Sequence, residues 1–238
     1  MLSWLFPCTC ELCGESSNQT LCPDCIRQLP RIPAPICLHC GAPTAGQQTA
    51  PDRCENCAGQ PRSFSLARQA LRQTDEVMKL IYELKYHHAL HLAQPLAQIL
   101  NELWEQTPRL RAYHDWVLVP VPVTSGKLYT RGFNQAGELA HNLAKLRHLK
   151  VMELLTRRET GVLSQTRLTA HARRMNAMRA YRCKAPALLA RRVQYPARLV
   201  LVDDVFTTGA TARACSTQLK KLPGVKEIVC LSLVRIGA

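Results

Sequence analysis

The chain has 238 residues, a length that suits one core domain plus a small appendage and that buries a sizeable core without disulfide staples. With 47% hydrophobic and 20% charged residues it is neither a disordered nor a collagen-like chain. No apolar run reaches the roughly 18 residues of a membrane span. The opening MLSWLFP lacks the basic start and long apolar stretch of a secretion signal, so the expected compartment is the cytoplasm. The net charge of +14 comes from 31 basic and 17 acidic residues and is unevenly placed. Residues 1–60 carry three basic and five acidic residues, whereas 157–198 carry eleven basic residues and one acid, Glu159. A stretch that basic repels itself, and a polyanionic partner would relieve the repulsion. A solvated basic face with no partner is the open alternative.

The first sixty residues are organised by cysteine. Eight of the twelve cysteines form four C-x-x-C pairs: Cys10/Cys13, Cys22/Cys25, Cys37/Cys40 and Cys54/Cys57. A tight turn between paired cysteines presents two thiolates from one knuckle, and two knuckles supply the four soft ligands of tetrahedral zinc. The segment also repeats: Cys10-Glu-Leu-Cys13-Gly14 matches Cys37-Leu-His-Cys40-Gly41, and each copy is followed by a second C-x-x-C. Two structural zinc ions in a double zinc ribbon over 1–60 are therefore expected. Sequential ligand sets (Cys10, Cys13, Cys22, Cys25 and Cys37, Cys40, Cys54, Cys57) are preferred, with an interleaved pairing open. His39, inside a knuckle, is expected to be exposed rather than a ligand. Cys8 reads as a spare thiol, and Cys183, Cys215 and Cys230 as packing residues.

From residue 61 onward the pattern alternates. An entry strand is expected over 64–71 and a one-faced helix over 75–86, where Val77, Leu80, Ile81 and Leu84 repeat at helical spacing. A second helix is expected over 89–106 and a buried strand over 116–121. A loop, VPVTSGKLYTRG, follows, then a helix over 133–147. Residues 156–196 show no clean period and read as a flap or long loop with one helical piece near 170–180. A buried strand over 198–204, a helix over 209–222 and a last strand over 226–235 complete the chain. Strands separated by helices predict an α/β fold with a mostly parallel sheet over 61–238, whose ligands bind beyond the carboxyl ends of the strands.

The richest stretch is LVLVDDVFTTGAT. Apolar residues carry the chain through the sheet, Asp203 and Asp204 emerge, and a loop of small residues opens a helix. Amide N–H groups at such a helix start converge on an anion. Thr207, Thr208 and Thr211 add hydroxyls, Gly209 lets the backbone approach a ligand closely, and the two carboxylates suit sugar hydroxyls or a magnesium shell.

DDVFTTGAT resembles the phosphoribosyl-pyrophosphate (PRPP) motif of type I phosphoribosyltransferases. The resemblance implies that Thr207, Thr208, Gly209, Ala210 and Thr211 cradle the 5′-phosphate and that Asp203 and Asp204 hold the ribose hydroxyls, with magnesium accompanying PRPP. The chain as a whole is similar to ComF-type competence proteins, including the GntX branch. That likeness is carried by the C-x-x-C pairs, Leu84-Lys85-Tyr86, Val119-Pro120-Val121-Pro122, Arg131-Gly132-Phe133-Asn134-Gln135, the segment LSQTRLTAHARRMN (163–176) and the PRPP motif, in family order. It implies a double zinc ribbon ahead of a phosphoribosyltransferase domain and a role in DNA uptake or use of external DNA. Lys127 and Arg131 are then candidates to neutralise the diphosphate. Asn134 and Gln135 either cap the next helix or touch ligand. Lys85 is either a ligand contact or a partner of the helix dipole. One departure concerns the acceptor: purine-salvage relatives carry an aspartate where this chain has Thr207, and no other acid lies in that loop.

Three functions stay open. The first is a pentosyl transferase acting on PRPP with an undefined acceptor, a nucleobase-salvage reaction being one version. The second is a non-catalytic PRPP sensor whose basic segment (Arg167, Arg173, Arg174, Arg179, Arg182) holds single-stranded DNA, with few aromatics there to stack on. The third is an adaptor whose acidic ribbons dock a DNA-uptake helicase or other competence protein.

Overall fold

A computed structural model describes residues 9–44, 50, 54–86, 89–159, 180–184 and 195–237. Among them are seven strands: β1 (Leu66–Arg72), β2 (Trp116–Pro120), β3 (Lys150–Val151), β4 (Leu155–Arg157), β5 (Tyr181–Cys183), β6 (Arg198–Phe206) and β7 (Glu227–Arg235). Five form one sheet in the order β1-β7-β6-β2-β3, and every pairing in it is parallel. β2 and β7 are buried at every position, which is why they read as continuous apolar runs rather than alternating ones. The short pair β4–β5 is antiparallel and separate. It comes from the basic stretch that lacks a period. The helical piece expected near 170–180, and with it Arg167, Arg173, Arg174 and Arg179, lies outside the described residues, as does Cys8.

Seven α-helices among the described residues accompany the strands: α1 (Pro23–Gln28), α2 (Asp75–Tyr86), α3 (Ala93–Glu105), α4 (Pro108–Arg111), α5 (Ser125–Arg131), α6 (Gln135–Arg147) and α7 (Ala210–Leu219). α2 buries Val77, Leu80, Ile81 and Leu84, the four residues its spacing selects. α5 replaces the loop expected from the sequence. Thr124 caps it by accepting a hydrogen bond from the Lys127 amide, and Gly132 closes it at φ 75°. None of its residues is buried, so no apolar period announces it.

The helices divide between the two faces of the sheet. α2, α3 and α6 share one apolar cluster with Val200 and Val202, whereas α7 packs with Leu199 and Leu201 in a second cluster. Alternate residues of β6 thus serve opposite faces, as a pleated strand requires. The crossover after β2 therefore runs through α6 on one face to β3, while that after β6 runs through α7 on the other face to β7. The chain turns outward in both directions from the β2–β6 pair, which is the switch point at which open parallel sheets leave a crevice.

The ribbon segment closes the β1 edge. Its linker runs antiparallel to β1, with a bridge between Arg31 and Leu71 and hydrogen bonds from the Ile32 amide to the Ala70 carbonyl (3.2 Å) and from the Arg72 amide to the Pro30 carbonyl (3.0 Å). The Ala67 amide donates to the His39 carbonyl (2.6 Å). Cys10, Leu21 and Leu29 join the cluster on the α2 face, and Cys37, Cys40, Cys54 and Cys57 join the α7 face, so the ribbons straddle the edge. A bare parallel edge is a template for pairing with another chain. Metal extraction is therefore expected to uncover β1, giving concentration-dependent association in size-exclusion chromatography with light scattering; an apo-protein that stays at the mass of the holo-protein would count against this role.

Candidate functional site

The two metal-type clusters form within consecutive sequence, not across it. Cys10, Cys13, Cys22 and Cys25 make one and Cys37, Cys40, Cys54 and Cys57 the other, with all sulfurs of a cluster within 4.8 Å of one another. Sulfur separations of 3.9 Å (Cys13–Cys22), 4.0 Å (Cys37–Cys57) and 3.7 Å (Cys40–Cys54) match the ~3.8 Å edge of a tetrahedron of thiolates about 2.3 Å from zinc. The repeat holds in three dimensions. The Cys10 amide donates to Glu15 O and the Gly14 amide to Cys10 O, and Cys37/Ala42 and Gly41/Cys37 repeat both bonds. Gly14 and Gly41 sit at φ 74° and 71°, where a side chain is strained. Two four-cysteine sites suited to structural zinc are thus present.

His39 is not exposed as expected; it is 6% accessible. Its ring stacks on Phe64 at 4.5 Å and its Nδ1 meets the Ser65 carbonyl at 3.1 Å. Burial lowers its pKa, so it is a neutral packing group between ribbon and sheet. Cys215 and Cys230 are buried core thiols whose pKa values burial raises.

The second site lies at the switch point. β6 and β2 pair only as far as Val202 and Pro120, and the Val121 amide makes a last bond to the Val202 carbonyl (2.9 Å). β6 continues on its other side, pairing Asp203 with Ser232 and Phe206 with Arg235. The strand thus runs two residues beyond the expected end. Its acidic portion has β7 on one side and a cleft of about 240 Å3 on the other.

That cleft gathers residues from every surrounding element. Asp203 and Asp204 come from β6, Lys127 and Arg131 from α5, and Thr211 from the first turn of α7. Thr207 and Thr208 are exposed on the loop between β6 and α7 and do not line the cleft. Gly209 holds φ 76° at the N-cap of α7 and brings no capping side chain, so the first-turn amides of that helix suit an external anion. A Cβ on Gly209 would stand 2.7 Å from the Phe206 ring, so only glycine fits.

Several lining groups were not singled out from sequence. Arg157 and Tyr181 arrive from the β4–β5 pair and Tyr86 from the end of α2. Arg157 and Tyr181 are distant in sequence and carry no motif, whereas Tyr86 belongs to the Leu84-Lys85-Tyr86 string, which did not mark it as a site residue. Burial pushes the Tyr181 phenol up to about 12, so it remains a hydrogen-bond donor at neutral pH. Lys85 forms an ion pair with Asp204 and lines the cleft, which places it with the site as well as at the end of its helix. Asn134 occupies the N-cap position of α6 without capping it; its Nδ2 donates to the Val121 carbonyl (3.0 Å). Gln135 accepts from Arg131 (3.2 Å). The Asn134 Oδ1 and the Gln135 Nε2 are buried without a hydrogen bond. A neighbouring recess of about 290 Å3 shares Asn134 and Arg157 with the cleft and adds Glu138, His141 and Glu153. Arg182 is exposed on β5.

The carboxylates are out of balance. Burial, reinforced by the charge of Asp204, pushes the Asp203 pKa well above the usual carboxylate range, and Lys85 only partly opposes this. A carboxyl held protonated more strongly when folded contributes stability below its unfolded pKa, about 3.9, and loses it as pH rises through the folded value. Asp203→Asn is therefore expected to raise the melting temperature at pH 7 by roughly 2–4 °C, the shift of about 1 kcal/mol in a chain of this size. The gain should shrink toward pH 4, as followed by calorimetry across that range.

A family model described as a double zinc ribbon domain matches residues 1–59. Curated relatives run the length of the chain. Competence protein F of Haemophilus influenzae is 29% identical over 217 residues, 90% of each chain. DNA utilization protein YhgH of Salmonella typhi is 27% identical over 97% of this chain and 96% of its own. Competence protein ComFC of Streptococcus pneumoniae is 23% identical over 95% and 99%. Among solved structures, a purine phosphoribosyltransferase from Pyrococcus horikoshii is similar at 21% identity, with a TM-score of 0.30, over 57% of this chain and 80% of that one. None of the helices among the described residues is long and apolar enough to cross a membrane. The chain is thus similar, over nearly its whole length, to competence and DNA utilization proteins, and its first 59 residues match a double zinc ribbon domain.

Proposed function

We propose that the switch-point cleft binds PRPP with magnesium and that the protein acts in the uptake or use of external DNA. The observation that carries the first part is the meeting, around one cleft, of an acid pair, two cations from α5 and the uncapped start of α7. Each has a distinct task. The α7 amides and Thr211 would hold a phosphate at the helix start. Asp203 and Asp204 would accept hydrogen bonds from ribose hydroxyls or hold magnesium, and Lys127 and Arg131 would offset the diphosphate charge. Magnesium, when bound, would neutralise the leaving diphosphate. If transfer takes place, the recess beside Asn134 and Arg157 offers space for an acceptor, and Glu138 and Glu153 supply there the carboxylates that the loop at Thr207 lacks. The DNA role rests on the names of the full-length relatives. The division into a ribbon unit over 1–60 and a PRPP unit over 61–238, and the cytoplasmic setting, belong to the same proposal.

Titration calorimetry tests the site. Wild-type protein should bind magnesium PRPP, and Asp203→Ala/Asp204→Ala should weaken it at least ~100-fold, about 2.7 kcal/mol. Equal affinity in both proteins would remove the cleft from consideration.

A single-stranded DNA surface is favoured by a separate observation. Tyr82 and Tyr86 are half-exposed on α2 with their rings 4.9 Å apart, and the Arg131 guanidinium lies 4.7 Å over the Tyr86 ring. Exposed aromatics beside cations are what sequence-tolerant strand binding uses. Both lie outside the basic 157–198 stretch, and Tyr86 lines the cleft. Tyr86→Ala should weaken binding of an oligothymidylate by ~5- to 150-fold, the range of about 1–3 kcal/mol per stacked base, measured by fluorescence anisotropy. Unchanged anisotropy would leave the phosphate contacts of the basic stretch as the whole interface.

A further inference from the structure

Two buried arginines connect the second zinc ribbon to the proposed phosphate loop. Arg213, on α7 and 6% accessible, donates through Nη1 to the Thr208 carbonyl (2.5 Å) and through Nη2 to the Asn56 carbonyl (2.8 Å). Asn56 lies inside the Cys54–Cys57 knuckle. Arg235, at the end of β7 and 1% accessible, donates to the Cys40 carbonyl in the partner knuckle and to Gln69 Oε1, each at 3.1 Å. Its guanidinium lies 5.3 Å over the Phe206 ring, which in turn presses on Gly209. Both knuckles of one metal site are thereby fastened to both ends of the 206–209 turn.

We infer that the second ribbon is a metal-dependent positioning element for the phosphate loop, with Arg213 as the positioning residue. The knuckle carbonyls face the arginines only while Cys37, Cys40, Cys54 and Cys57 converge, and four thiolates converge only when a cation offsets their repulsion. With the site filled, Asn56 holds one arm of the Arg213 fork and directs the other to Thr208. Without it, the fork loses an anchor and the turn loses its fixed shape. A rigid fork can span two acceptors in this way, whereas a lysine ammonium cannot reproduce its geometry. The coupling must be reciprocal: if a filled site aids ligand binding, ligand must retain the metal by the same factor.

The inference rests on the PRPP reading of the site, and the experiment separates the two. Zinc transfer from the full-length holo-protein to a chromogenic chelator is followed with and without magnesium PRPP. PRPP should lower the transfer of one zinc equivalent of the two by about tenfold, the scale of a typical coupling. In Arg213→Gln that protection should vanish while both zinc ions remain at the start, and Arg213→Lys should restore little of it. A merely structural role for Arg213 would not make zinc retention depend on PRPP. Protection that survives in Arg213→Gln, or its absence in wild type that binds PRPP, would overturn the inference. If wild type binds no PRPP, the site reading fails, and the coupling is judged by hydrogen exchange alone. Zinc removal should then speed exchange across 207–213, and unaltered exchange there would overturn it. Should Arg213→Gln not fold, the same exchange comparison on wild type decides the matter.

Discussion

The site depends on the divergence of the chain at the β2–β6 pair. Parallel strands need crossovers, and here the two crossovers leave on opposite faces and in opposite directions. β6 then outruns β2, so its last residues have a hydrogen-bonded neighbour on one side only. Acids there sit on a rigid strand and still face an opening. Had β2 continued alongside them, Asp203 and Asp204 would face a neighbouring strand instead of a cleft.

The same geometry explains the cost carried by the acids. A strand held in the centre of a sheet is a low-dielectric setting, and two adjacent carboxylates repel each other there. Lys85 relieves only part of this. Unsatisfied polar atoms on Asn134 and Gln135 add to it. Such groups lower stability without ligand and suit a site that gains its missing partners on binding.

The ribbons serve the sheet as well as their own fold. A segment with few large apolar side chains gains little from burial, so metal coordination supplies its order. Once ordered, it covers the β1 edge, inserts cysteines into both apolar clusters and offers knuckle carbonyls to Arg213 and Arg235. Removing the 6% and 1% accessible arginines from water requires acceptors, and the knuckles provide them.

Sequence alone determined the alternation of strand and helix, the four cysteine knuckles and the acid pair before a small-residue turn. Each is a local signal, because periodicity, ligand spacing and turn chemistry act within a dozen residues. α5 escaped it because an exposed seven-residue helix has no apolar period, and β4–β5 because three-residue strands get their pairing from afar. Only the tertiary structure decided that the cysteines pair sequentially and that His39 is packed rather than exposed. It also brought Arg157, Tyr181, Tyr86 and Lys85 to the acids. Those outcomes depend on which surfaces meet across the sheet, and sheet order is fixed by long-range burial that no single stretch of the chain encodes.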